Sequence, residues 1–254
     1  MTLQAAALSF DTMIPSSVRT KEVMVLAGDI GGRVKTTNLP WVIDEAPIAV
    51  LAPGTGLGEA YLARDDSGFR GYASEGGHAD FAPANDLEIG LLCRLMNRFG
   101  HVSYERVCSG PGIVNIYYYL RDSGYAKEQA NLAGNIAGAY DPAPFIVQAA
   151  MDTEQACPLC LKTIETFVSI LGAEAGNLCL KVMAMGGVYM GGGILPRIVE
   201  ILENETFKNS FANKGRMSEF LARVPVCVIM NSRAGLLGAA HHAMVVQGKT
   251  VSSA

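Results

Sequence analysis

"APIAVLAPGTGLGEAYLA", residues 46–63, places an apolar run, a glycine-rich turn and a second apolar run in direct succession. Ala46–Ala52 reads as a buried strand and Glu59–Ala63 as its return, with Gly54-Thr55-Gly56-Leu57-Gly58 as the turn between them. Two other glycine turns also follow apolar strands: Gly28-Asp29-Ile30-Gly31-Gly32 after "EVMVLA", and Gly191-Gly192-Gly193 after "GGVYM". Glycine lets backbone N–H groups come close to phosphate oxygens, and Thr55 adds a hydroxyl donor. Asp29, at a strand end, is placed to hold Mg²⁺ directly or through water. None of the three matches the Walker A pattern, and GTGLG lacks the full dinucleotide spacing. A single such turn reads as a hairpin. Three of them with an Asp predict a nucleotide site.

Outward from this stretch, strand and helix patterns alternate. "DLEIGLLCRLMNRFG" (86–100) spaces Leu87, Leu91, Leu95 and Phe99 for one helix face, with Gly100 as the stop. "SYERVCSGPGIVNIYYYLRDSG" reads as a short helix, a Ser-Gly-Pro-Gly break and a second helix. "PLCLKTIETFVSILGAEAGNLCLKVMA" predicts a long helix or helix pair, leading into strand, triple glycine and a helix with Pro196 in its first turn. "VCVIM" and "AGLLGAAHHAMVV" add a last strand and helix. The expected class is α/β with at least part of the sheet parallel.

The totals exclude several functions. The chain has 254 residues, half of them hydrophobic, and a formal net charge of −4. That is enough for a large core, and there is no Lys/Arg cluster to neutralise a nucleic-acid backbone. The longest apolar stretch, "VMAMGGVYMGGGILP", is short and glycine-broken, so no membrane span is expected. "MTLQAAALSFDTMIPSSVRTKEVMV" lacks the basic start and apolar centre of a signal peptide. Six scattered cysteines suit buried thiols in a reducing compartment, and the cytoplasm is the expected location. Cys157 and Cys160 form a CxxC without a second ligand pair, which favours a helix N-terminus over a zinc or redox site.

"EGGHADFAP" sets Glu75 and His78 across a double glycine, and Glu105 follows in "SYERV". Carboxylates and an imidazole converging on a small polyol suit vicinal hydroxyls, which donate in pairs. Taken singly, Glu105 also reads as a solvated helix residue, His78 as a turn histidine and Asp80 as a local cap. The order "AGDIGG", "LAPGTGLGEAYL", "EGGHADFAP", "ERVCSGPGIVNIY", "GGVYMGGGILPR", "KGRMSEFL" and "GLLGAAHHA" resembles the bacterial glucokinase family of actin-like (ribonuclease-H-like) ATPases, from about Ala46 to Gly248. The resemblance implies phosphoryl transfer from ATP to the 6-hydroxyl of glucose, a Mg²⁺ requirement, a cleft between two lobes and a homodimer. It assigns Glu75, His78, Glu105 and Asn38 (in "TTNLPW") to sugar, and Gly28, Asp29, Gly31, Gly32, Gly54, Thr55, Gly56, Gly58, Gly192 and Gly193 to nucleotide, with Asp29 facing the metal. A different sugar or acetate kinase is disfavoured by the Glu-Gly-Gly-His spacing.

Two departures from the family pattern carry expectations of their own. Gly32 runs directly into "RVKTTNLPW" where the family continues with small-lobe strands and helices. Glu45 runs into "APIAV" where it carries an Asn-Asp-Phe stretch with the catalytic base. Only 21 residues, Arg33–Pro53, separate the first two glycine turns, too few for a lobe with its own core. The expected organisation is therefore a disordered extension over 1–23, a small-lobe remnant over 24–45 and a large actin-like domain over 46–254. The catalytic base is unassigned, with Asp44 and Asp80 the nearest carboxylates, and turnover is expected to be low or absent. The alternative is a sugar- or nucleotide-binding or dimerising remnant without catalysis.

Overall fold

The computed structural model describes residues 23–27, 45–66, 68–155 and 157–246, the first of these as backbone only. Six strands form one sheet: β1 (Val23–Ala27), β2 (Ile48–Pro53), β3 (Leu57–Asp65), β4 (Gly68–Ser74), β5 (Val188–Met190) and β6 (Val226–Ile229), in the order β1-β6-β5-β2-β3-β4. β2, β5 and β6 run parallel, while β2-β3-β4 is an antiparallel meander and β1 lies antiparallel to β6. The parallel strands are apolar on both faces, as strands covered on both sides must be. Ala49, Leu51, Leu57, Val188, Met190, Val226 and Val228 face the main core. Ile48, Val50, Ala60, Leu62, Tyr189, Cys227 and Ile229 face a smaller one that includes Ala234.

The main face is covered by α1 (Asp86–Phe99), α2 (Gly110–Asp122), α3 (Ala130–Gly138), α4 (Ala143–Met151), α5 (Pro158–Val182), α6 (Val199–Leu202), α7 (Glu205–Ala212) and α8 (Ser218–Leu221). The last helix, α9, spans Ala234–Val246 and brings Ala234 to the opposite face. α1 starts on a reciprocal cap. Asn85 Oδ1 accepts the Glu88 N–H, while Glu88 Oε2 accepts the Ala84 N–H at 2.7 Å. It stops at Gly100, whose φ of 74° is the left-handed stop the sequence predicts. α5 begins with Cys157 as its cap, the thiol accepting the Cys160 N–H at 3.4 Å, which is the structural role expected for the CxxC.

α5 crosses α7 closely because two glycines leave room for it. A Cβ at Gly172 would lie 2.6 Å from the Phe207 carbonyl oxygen, and one at Gly176 would lie 2.5 Å from that of Phe211. Three elements depart from the sequence expectation. β4 is an unanticipated strand, registered so that Tyr72 stacks on Tyr61 with centroids 5.1 Å apart. Ala130–Gly138 folds as a helix of its own. Pro196 opens only a single 3-10 turn, Leu195–Arg197, before the short α6. Among the described residues no helix is long and apolar enough to cross a membrane.

Candidate active site

Two of the glycine turns meet at the same edge of the sheet. The turn after β2 is tight, with the Gly54 N–H donating to the Gly56 carbonyl at 2.8 Å. The turn after β5 begins with the Gly191 N–H donating to the Leu51 carbonyl, also at 2.8 Å. Gly192 has a φ of +98°, and a side chain there would collide with the Pro53 backbone, so this position needs glycine both for its dihedral and for its closeness to β2. Gly54 and Gly193 have open space where a Cβ would stand. Thr55, Gly192 and Gly193 are exposed. The site lies beyond the carboxyl ends of parallel strands, the general position of ligand crevices in open α/β sheets.

A third backbone group joins them that the sequence did not single out. Ser109 caps α2, accepting the Gly112 N–H at 3.1 Å, and the Gly110 N–H donates to the Gly54 carbonyl at 2.8 Å. The "CSGPG" break thus docks the α2 N-terminus on the GTGLG turn. The signal was present in the Ser-Gly-Pro-Gly string, but only the fold shows what it docks against.

The sugar-facing candidates are assembled around Leu57. Its N–H donates to Glu105 Oε2 at 3.0 Å, and its carbonyl lies where a Cβ on Gly77 would clash. Gly77 is the buried centre of the 3-10 turn Gly76–His78. Glu105 sits in the 3-10 turn Tyr104–Arg106. The two turns are tied by the Tyr104 N–H to the Ala79 carbonyl at 3.0 Å and the Phe81 N–H to the Val102 carbonyl at 2.9 Å. His101 Nε2 pairs with Asp80 Oδ1 at 2.8 Å across the same junction, which engages one of the two carboxylates considered as a base. Glu75 and His78 face solvent 3.8 Å apart, their side chains 71% and 60% exposed. Glu105 is half-buried, with one carboxylate oxygen committed to the Leu57 amide.

Asn38, Asp44 and the Gly28–Gly32 turn with Asp29 lie outside the described residues. Ala27, the last residue of β1, pairs with Val226 at the beginning of β6. Among the described residues no group of three or more His, Cys, Asp or Glu side chains is arranged to hold a metal ion.

The glucokinase family model matches residues 44–246. The chain belongs to the glucokinase family. A glucokinase of Nostoc sp. is 43% identical over 208 residues, covering 77% of this chain and 60% of that protein. A glucokinase of Neisseria meningitidis is 39% identical over 233 residues, covering 92% of this chain and 67% of that protein. The crystal structure of a glucokinase from an Antarctic psychrotroph superposes with a TM-score of 0.73 at 32% identity, over 93% of this chain and 66% of that one. The chain thus spans about 60% of the length of the Nostoc relative. The mixed α/β sheet is that of the actin-like glucokinase fold, as expected. The meander β2-β3-β4 and the parallel β5 and β6 carry both glycine turns described above.

Proposed function

We propose that this glucokinase-family chain binds glucose and ATP at the meeting point of the two glycine turns and the Leu57-anchored turns, and transfers the γ-phosphoryl group to the 6-hydroxyl. The observation that carries this reading is that Leu57 is at once a member of the GTGLG turn, the donor to Glu105 and the seat of the Gly76–His78 turn. A phosphate cradle and a sugar-reading edge therefore share one residue. Glu75, His78 and Glu105 would accept from sugar hydroxyls, together with Asn38. The backbone around Gly54–Gly58 and Gly192–Gly193 would donate to phosphate oxygens, with Thr55 adding a hydroxyl. Positioning and charge stabilisation supply most of the rate in such transfers.

Mg²⁺ would neutralise phosphate charge, and Asp29 is the residue proposed to hold it, with Gly28, Gly31 and Gly32 completing a phosphate turn. We place the enzyme in the cytoplasm as a homodimer, with residues 24–45 a small-lobe remnant and 46–254 the large domain. A second reading, binding without catalysis, is motivated by the 21 residues between Gly32 and Gly54 and by the missing Asn-Asp-Phe segment.

Calorimetric titration with glucose and with ATP, followed by a coupled assay with both and Mg²⁺, separates the readings. Turnover supports the kinase. Binding without turnover at high protein concentration supports the binding remnant. Failure to bind either ligand removes both.

A further inference from the structure

Glu59 is the third residue of β3, immediately after the GTGLG turn. Strand alternation points it the same way as Leu57, into the main core, and it is 1% exposed. Both of its carboxylate oxygens are buried without a donor. Opposite stands Glu174 of α5, fully buried and within hydrogen-bonding reach of the Glu59 carboxyl. A lone buried carboxylate carries a heavy desolvation penalty, and two ionised ones side by side repel. A single proton between them removes the repulsion and leaves one charge for the surrounding donors to compensate. The side chain that carries it is set by the other partners. Glu174 accepts from Asn177 Nδ2 at 2.8 Å and Lys181 Nζ at 3.4 Å, so it keeps the charge and Glu59 keeps the proton.

The pair lies directly beneath both sugar-facing turns. Gly76 packs so closely on Glu59 that a Cβ there would strike its carboxylate. Asn177, holding Glu174, also donates to the Tyr104 hydroxyl at 2.9 Å, and Tyr104 opens the turn that carries Glu105. We propose that Glu59 and Glu174 share one proton and act together as the positioning element of the Glu75–His78 and Tyr104–Glu105 turns, so that losing the proton loosens both turns and weakens sugar binding. The sugar-binding part rests on the reading given above for Glu75, His78 and Glu105.

Burial, then the charge of Glu174, pushes the Glu59 carboxyl up to about 7, while Lys181 pulls it down. The other ionisable groups around the pair are Tyr104 and Cys108 beside the Glu105 turn, Glu88 of α1 and Lys214 beyond α7. Burial, reinforced by Glu174, pushes Tyr104 and Cys108 upward, so both stay neutral near pH 7. Burial lowers Lys214, with Glu174 and Glu88 opposing it. His78 and His101 stand on the solvent side of the same turns.

The test uses the full chain as wild type, Glu59→Gln and Lys181→Met. Carboxyl-carbon NMR should find one glutamate titrating near neutrality in the wild type and none in Glu59→Gln. Amide exchange at Ala79, Tyr104 and Val107 should accelerate above neutral pH by more than its intrinsic base catalysis. The glucose dissociation constant should rise about tenfold between pH 6 and pH 8.5. Glu59→Gln keeps a donor with no proton to lose, so the acid-side protection and affinity should persist to high pH. Lys181→Met should move the midpoint upward. A pH dependence that survives in Glu59→Gln belongs to His78 or His101 and overturns the proposal, as does the absence of a glutamate titrating near neutrality. Should Glu59→Gln not fold, the wild-type titration and the Lys181→Met shift still decide. If glucose fails to bind at every pH while the NMR and exchange signatures hold, the sugar reading falls and the shared-proton support of the turns stands.

Discussion

At the residue scale, the exposed and the enclosed members of the site should respond differently to substitution. Glu75 and His78 face solvent, so Glu75→Gln and His78→Asn should change stability by less than about 0.5 kcal/mol. Each should weaken glucose binding by roughly tenfold, the worth of one hydrogen bond to a charged or polar group, as read by calorimetry. Gly192→Ala should behave oppositely. Its φ of +98° and its closeness to Pro53 put the cost in the fold, about 1–3 kcal/mol by thermal denaturation, with nucleotide affinity falling alongside. The short motifs were legible because Glu75, His78 and the glycines lie close together in sequence, where spacing alone suggests a shared site. Glu59 was not legible. In "GEAYLA" it reads as the polar member of an alternating strand, and it is buried only because α5 arrives from a hundred residues further on.

At the element scale, helix packing sets the stability of the main face. Gly176→Leu would drive a side chain into the Phe211 backbone of α7, and the resulting overpacking should cost about 1–3 kcal/mol in urea denaturation. Asn85→Ala removes the side-chain cap of α1 and should cost about 1 kcal/mol in the same measurement. α1, α5, β2 and β3 were readable because a period, a cap or a glycine turn marks each of them locally. β4 was not, since "GFRGYAS" holds two glycines and an arginine and becomes a strand only by pairing with β3 from Glu59 to Asp65. The sequence also brings the "CSGPG" break next to nothing, whereas packing brings it to Gly54.

At the scale of the whole molecule, two carboxyls shape the pH profile in opposite directions. Unfolded, Glu59 loses its proton near 4.5, while the folded chain holds it to about 7. The folded state is therefore the more protonated between these values, and stability falls as pH rises through that window. The loss is roughly 3 kcal/mol at most, complete just above pH 7. Asp122 works the other way. Its hydrogen bonds from Arg121 and Arg94 hold it below the ordinary carboxylate value, so its contribution is lost as pH falls into the acid range. Urea midpoints measured from pH 4 to pH 8 should decline toward the alkaline end, and the decline should be absent in Glu59→Gln.

The sheet order has a consequence for how the chain is made. β1 pairs with β6, so residues 23–27 meet partners about two hundred positions later. Contacts of such long range form late, because the loop must close before the pairing rewards it. During synthesis, at roughly 5–20 residues per second, β1 waits on the order of 10–40 s for β6 to be made. The β2-β3-β4 meander, with the glycine turn and the Leu57-anchored loops, has its pairing partners in hand long before then. Pulse-labelled exchange on stalled chains should find Val50 and Ala60 protected while Val25 is still open. The newborn polypeptide would own the edge proposed to meet the ligands before its sheet has a finished border.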